Sequence, residues 1–435
     1  MKMRILCLCI ALFALPGVIA AYPLDAYEAT GIRRLEAARL AHEGKIQSRK
    51  LPSGALLSTE QVDLRLLAYP HLTLPEPDAA FTAQVVKLLG EQADRYGMAV
   101  LDLSDPAQPR YAEYRGDLQQ NVGSVGKIVV ALALFQALAD VYPDDLVARR
   151  RILHDSVVTA DAFINVDHHT VWLWNPEAQT LNRRQLQIGD RGTLWEYLDW
   201  MLSASSNAAA GMVMKHLLLL VHFGKAYPVS EAEATRFFQE TPKQDLGQLL
   251  AKAMHEPVSR NGLDLAQIRQ GSFFTREGKR RVPGTSSYAT PRALMQFCLQ
   301  MEQGKLVDVF SSREIKRLLY MTERRIRYAS SPALAAAAVY FKSGSLYSCK
   351  PEVGFTCRKY HGNVKNYMNS VALVEAPATE RHLMYLVTLL SNVLRKNSAV
   401  DHQTLATRMH RLIEAAHPVQ DATAARGQSN HPKTQ

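Results

Sequence analysis

From Ile128 to Leu138 the chain reads IVVALALFQAL. It would be apolar on every side of a helix, and such helices lie in protein interiors. Other stretches are one-sided. Ile32, Leu35 and Ala38 mark an amphipathic segment near the start. Asp78 has the character of a helix cap, followed by an apolar face of Phe81, Val85, Leu88 and Leu89. YGMAVLDL and RYAEY, parted by SDPAQP, predict two strands and a turn. From about 145 to 285 the pattern predicts helices and long loops without convincing strands. Within it, VWLWN alternates Trp172 and Trp174, as a strand face in the core or an aromatic wall at a cleft mouth would. Thr290-Pro291 opens a helix with a capping side chain and a proline at its first position. ALAAAAVYFKSGSLYS, YMNSVALVEA and RHLMYLVTLLS are strand-like, and Leu405, Met409 and Leu412 share one face of a closing helix. Strands at both ends enclose a helical middle. The expected fold is α+β: an antiparallel sheet flanked by terminal helices, plus an all-helical lobe. Chemistry is expected in a cleft between them.

Composition changes this picture at the N-terminus. Of 435 residues 47% are hydrophobic and 21% charged, as in ordinary globular chains. Lys2 and Arg4, however, precede an apolar run from Ile5 to Leu15 and the small residues to Ala21. This is the pattern of a cleaved export signal over 1–21, too short to span a bilayer. The expected location is secreted or periplasmic. No later stretch reads as a membrane span, so no stable membrane insertion is expected after cleavage. A leading segment then covers 22–77, the main domain 78–415 and a disordered tail 416–435.

Cleavage would leave Cys298, Cys349 and Cys357. The last two flank a short polar loop between strands and are a candidate disulfide, which an oxidising compartment preserves. Cys298 reads as a packed core thiol. A net charge of +10 without a basic block gives no support for nucleic acid and suits anionic substrates.

The interior helix begins with Ser124-Val125-Gly126-Lys127. At i and i+3 on a helix start, Ser124 and Lys127 share a face. A serine hydroxyl attacks well only when a base takes its proton, and a lysine is such a base only if its pKa is lowered. A plain cap with a solubilising charge is the simpler reading of these two residues alone. Downstream stand Ser205-Ser206-Asn207, after a helical pattern, and Lys342-Ser343-Gly344 on a strand. The order S-x-x-K, S-x-N, K-[ST]-G resembles the penicillin-recognising serine hydrolases, most closely the class A β-lactamases and penicillin-binding proteins. GTSSYATPRALMQF resembles the segment that precedes the last motif in the class A enzymes. The resemblance spans about 78–415.

It implies Ser124 as the acylated nucleophile, Lys127 as its proton acceptor and Ser205 as relay to the leaving nitrogen. Asn207 would hold the substrate amide, and Lys342 would add positive field and help keep Lys127 neutral. Ser343 and Ser345 would bind a substrate carboxylate, with Gly344 letting the substrate approach. The backbone N–H groups of Ser124 and Ser345 would form the oxyanion hole. The implied partner is a β-lactam or a peptidoglycan-derived peptide, with no cofactor. A D-alanyl-D-alanine peptidase, an esterase or amidase, and a non-catalytic penicillin-binding sensor are the alternatives.

One piece is missing. Class A enzymes use a Glu-x-x-x-Asn motif to activate the deacylating water, and residues 208–290 contain none. Glu256, in EPVSRN, and Glu240 are the substitute candidates. Asp167-His168-His169 reads as a turn, since adjacent histidines are expected to point apart, and no metal site is expected.

Overall fold

The computed structural model describes residues 25–47, 51–322 and 325–418. The expected leader (1–21) and the tail beyond 418 lie outside these residues. Strands β1 (Tyr96–Asp102) and β2 (Arg110–Tyr114) form the predicted pair. Further strands are β3 (Val157–Thr159), β4 (Val171–Asn175), β5 (Thr180–Arg184), β6 (Arg191–Thr193), β7 (Ile268–Arg269) and β8 (Tyr288–Ala289). The last three are β9 (Ala338–Ser348), β10 (Lys365–Ala376) and β11 (Leu383–Asn392). Terminal strands make one antiparallel sheet in the order β2-β1-β11-β10-β9. Both of its faces are covered, and the period-two alternation of strands sorts side chains between two cores. Met98 and Val100 of β1 join one core, Ala99 and Leu101 the other.

The helices are α1 (Tyr27–Thr30), α2 (Arg33–His42), α3 (Ala79–Leu89), α4 (Lys127–Val141), α5 (Leu146–Asp155), α6 (Leu194–Leu202) and α7 (Asn207–Phe223). They continue as α8 (Glu231–Glu240), α9 (Lys243–Arg260), α10 (Arg276–Arg281), α11 (Pro291–Glu302), α12 (Val309–Tyr320) and α13 (Ser398–Ala416). Helices α3 and α13 cover one sheet face through Phe81, Val85, Leu405 and Met409. The predicted caps are present: Asp78 accepts from Phe81 N at 2.6 Å, and Thr290 from Ala293 N at 3.1 Å. Every residue of α4 from Lys127 to Leu138 is buried, as all-round apolarity requires.

Two expectations need correction. The 145–285 region is not free of strands: β3–β6, β4–β5 and β7–β8 are three two-stranded ladders. They run two to five residues each, and β5 (TLNRR) is polar, so they leave no readable alternation. The tryptophans do lie on a strand, and Trp174 packs against Ala37 and Leu40 away from the cleft. Secondly, among the described residues one helix is long and apolar enough to cross a membrane: Gly123–Val141, which is the interior helix with its lead-in turn, 78% buried.

Residues 25–78 are bound to the rest by buried polar contacts. Arg34 grips Asp199 of α6 at 2.5 and 2.6 Å. Arg65 reaches Glu375 of β10 at 3.1 Å, beside Lys316.

Candidate active site

A short 3₁₀ turn, Gly123–Gly126, delivers Ser124 to the start of α4. The edge strand β9 lies almost on top of it. A Cβ at Gly344 would meet Val122 O at 2.0 Å and Ser124 N at 2.7 Å. Gly123, at φ +56, occupies the left-handed region beside Ser345 N. The close seating sets the backbone of Ser345 against that of Ser124, the arrangement an oxyanion hole needs.

Lys127 Nζ lies 2.9 Å from Ser124 Oγ, 2.7 Å from Ser205 O and 2.8 Å from Asn207 Oδ1. Ser205 offers its carbonyl from a left-handed conformation, φ 63. Lys127 is fully buried, and desolvation pulls its pKa down to about 7 despite the opposing field of Asp167. Lys342 of β9 donates to Ser205 Oγ at 2.8 Å and to Ser343 O at 2.9 Å. Its pKa is also lowered well below the usual range, first by burial, then by Lys127 and Arg327. All three motifs therefore meet, in a cavity of about 560 Å³ that Ser124, Ser205, Asn207, Lys342, Ser343 and Ser345 help to line.

Three groups emerge that sequence reasoning did not assign. Arg327 donates to Ser343 Oγ (2.8 Å), Ser345 Oγ (3.1 Å) and the hydroxyl of Tyr360 (2.9 Å). It thus adds a guanidinium where the two serines were expected to hold a carboxylate. Burial would raise the Tyr360 pKa, but Arg327 and Lys359 outweigh it and the net shift is downward. Phe274 covers Lys127, its ring centroid 4.8 Å from Nζ. The third is Asp167, whose Oδ2 accepts from Ser206 Oγ, Asn207 N and Ala208 N at 2.8–2.9 Å. That carboxylate sits on the N-terminus of α7, where backbone N–H groups favour negative charge. Burial works against ionisation, yet the His169 hydrogen bond and these donors hold the Asp167 pKa below its usual range.

The histidine expectation needs correction too. His168 and His169 do not point apart. Their rings stack, centroids 4.3 Å apart, and both line the cavity. Glu256 must be withdrawn as a catalytic candidate: it is an exposed residue of α9, and neither it nor Glu240, exposed at the end of α8, lines the cavity. Among the described residues lining it there is no carboxylate at all. Cys349 and Cys357 form the candidate disulfide, and Cys298 is a buried free thiol.

A serine at a helix start, a buried lysine on its hydroxyl, and a second lysine on an edge strand define an active-serine hydrolase site. The model of the β-lactamase enzyme family matches residues 80–400, and the chain belongs to that family of serine hydrolases. A β-lactamase from Sphaerobacter thermophilus is similar at 12% identity and TM-score 0.50, over 77% of this chain and 97% of that one. The TLA-3 extended-spectrum β-lactamase is also 12% identical, with TM-score 0.50 over 78% of this chain and 99% of its own. PBP-A, in its acyl-enzyme complex with penicillin G, is 14% identical over 79% of this chain and 100% of its own, TM-score 0.49. Identities this low speak to the fold alone. No curated protein matches the chain.

Proposed function

We propose that this protein is an exported β-lactam-hydrolysing enzyme that works through an acyl-enzyme at Ser124. One observation carries the reading: the three partners of Lys127 Nζ. Two are oxygens that can only accept, Ser205 O and Asn207 Oδ1. A neutral amine gives them its two N–H bonds, and its lone pair is left for the third partner, the Ser124 hydroxyl. A pKa of about 7 keeps a large share of Lys127 in that state at neutral pH. Ser124 Oγ would attack the lactam carbonyl as Lys127 takes its proton. The developing oxyanion would meet the N–H groups of Ser124 and Ser345. Ser205, hydrogen-bonded to Lys342, is placed to pass a proton to the departing nitrogen. Arg327, with Ser343 and Ser345, suits the carboxylate that penicillins carry, and the charge of Lys279 and Lys359 at the cleft suits anions generally. Export is supported by the signal pattern of residues 1–21 and by the Cys349–Cys357 bond, which persists outside reducing compartments.

Time-resolved intact mass of the mature protein with benzylpenicillin tests this reading, beside Ser124→Ala. The expected result is a penicilloyl adduct on the wild type, none on the variant, and hydrolysed drug accumulating. An adduct that never clears would support a D-alanyl-D-alanine peptidase or a sensor. No adduct on a folded wild type would overturn penicillin recognition.

A further inference from the structure

A hydrolytic cycle needs a base for the second half-reaction, and among the described residues that line the cleft there is no carboxylate to serve. We infer that His169, oriented by Asp167, is the general base that activates water to hydrolyse the acyl-enzyme at Ser124; the inference rests on the acyl-enzyme reading above. His169 and Ser124 line the same cavity. His169 Nδ1 lies 2.6 Å from Asp167 Oδ1. A carboxylate only accepts, so Nδ1 carries the proton and Nε2 is left with its lone pair. Nε2 has no hydrogen-bond partner among the described residues. The ring plane is held from the other side by His168, stacked at 29°.

Asp167 is fixed in turn to the first turn of α7 through the N–H groups of Asn207 and Ala208. Asn207 is also the residue that holds Lys127. Nucleophile, lysine and imidazole therefore share one rigid frame, the base-with-orienter arrangement general-base chemistry requires. The groups acting on His169 are Asp167 and His168 of its own loop and Lys127 of α4. Burial, aided by Lys127 and His168, outweighs Asp167 and sets the His169 pKa below its usual value, so the imidazole is neutral at neutral pH.

The same three side chains could suggest a metal, since their ligand atoms lie within 4.8 Å of one another. They make three groups from one short loop, one fewer than a closed tetrahedral site takes, and Asp167 already spends its oxygens on His169 and the start of α7.

The step balances without a co-reactant. Water oxygen bonds to the acyl carbon while one of its protons passes to His169 Nε2. The tetrahedral intermediate collapses, the carbon–Oγ bond breaks and Ser124 Oγ recovers a proton. His169 releases the one it took. One water is consumed, and the carboxylic acid product leaves.

The test follows the lifetime of the benzylpenicillin adduct by intact mass in wild type, His169→Asn and His169→Ala. The acylation rate in the same trace reports whether the site is intact. Acylation close to the wild-type rate is expected, with adduct lifetime extended by about 100-fold or more, the ordinary scale of general-base catalysis. Added imidazole should shorten that lifetime in His169→Ala. Clearance at the wild-type rate in the variants would overturn the inference, as would slow clearance that imidazole leaves unchanged. A wild-type adduct that persists would also overturn it while leaving acylation at Ser124 standing. A wild type that forms no adduct overturns the acyl-enzyme reading and this inference with it.

Discussion

Lys127 shows how much a single position can carry. Its identity and spacing from Ser124 were legible because both lie within four residues on one helix start. Ser205, Asn207 and Lys342 were legible for a similar reason, each inside a short motif. Arg327 was not: it sits in a turn of "RIRYASS" at φ 57, and its function exists only through Ser343, Ser345 and Tyr360, which the fold brings to it. The burial that makes Lys127 a base also costs stability. With its pKa lowered from 10.5 to about 7, the folded protein binds fewer protons than the unfolded chain between those values. Stability attributable to this group therefore rises with pH across that window and is flat below it. Lys127→Met should abolish acylation and raise stability at pH ~7 by about 1–3 kcal/mol, after discounting the carbonyls left unpaired. That advantage should shrink by pH ~10, because neutral lysine is no longer penalised in the wild type. Denaturant melts of both proteins at the two pH values check the sign; an advantage that grows with pH would refute it.

At the scale of elements, the long ones were legible and the short ones were not. The interior helix, the terminal strands and the caps at Asp78 and Thr290 each rest on a pattern several residues deep. β7 and β8 are two residues each and owe their pairing to the tertiary fold. The Asp167–His169 loop was misread for a related reason. Its ring orientation is set by the start of α7, some forty residues on, and nothing local announces it. What positions the site most sharply is the seating of β9 on the 3₁₀ turn. Gly344→Ala would place a methyl 2.0 Å from Val122 O and 2.9 Å from Val125 N, so the strand must move off the turn. Displacements near 1 Å cost on the order of 100-fold in such constellations. The expected outcome is an acylation rate reduced by about that factor with far-UV circular dichroism retained. Wild-type acylation in this variant would show that the close approach is not required.

For the whole molecule, residues 25–78 supply cations to carboxylates that the hydrolase domain buries. Asp199 is fully buried one turn before the Ser205 loop, and Arg34 meets it with two hydrogen bonds while also donating to Met321 O at 2.8 Å. On the sheet side, Arg65 N donates to Glu302 and its guanidinium pairs with Glu375, so the segment grips both halves of the fold. None of this could be read from the chain, because the partners lie 165 and 310 residues apart and carry no motif. A buried pair is costly to break and much less costly to replace. Arg34→Ala would leave the Asp199 carboxyl buried and short of its partner, and should destabilise the protein by about 3–5 kcal/mol. Asp199→Leu combined with Arg34→Met removes both charges and should recover most of that loss. Urea denaturation of the wild type, the single variant and the double variant decides the point. If Arg34→Ala is as stable as the wild type, the leading segment is held by its apolar contacts at Ile32 and Leu35, and the ion pair is incidental.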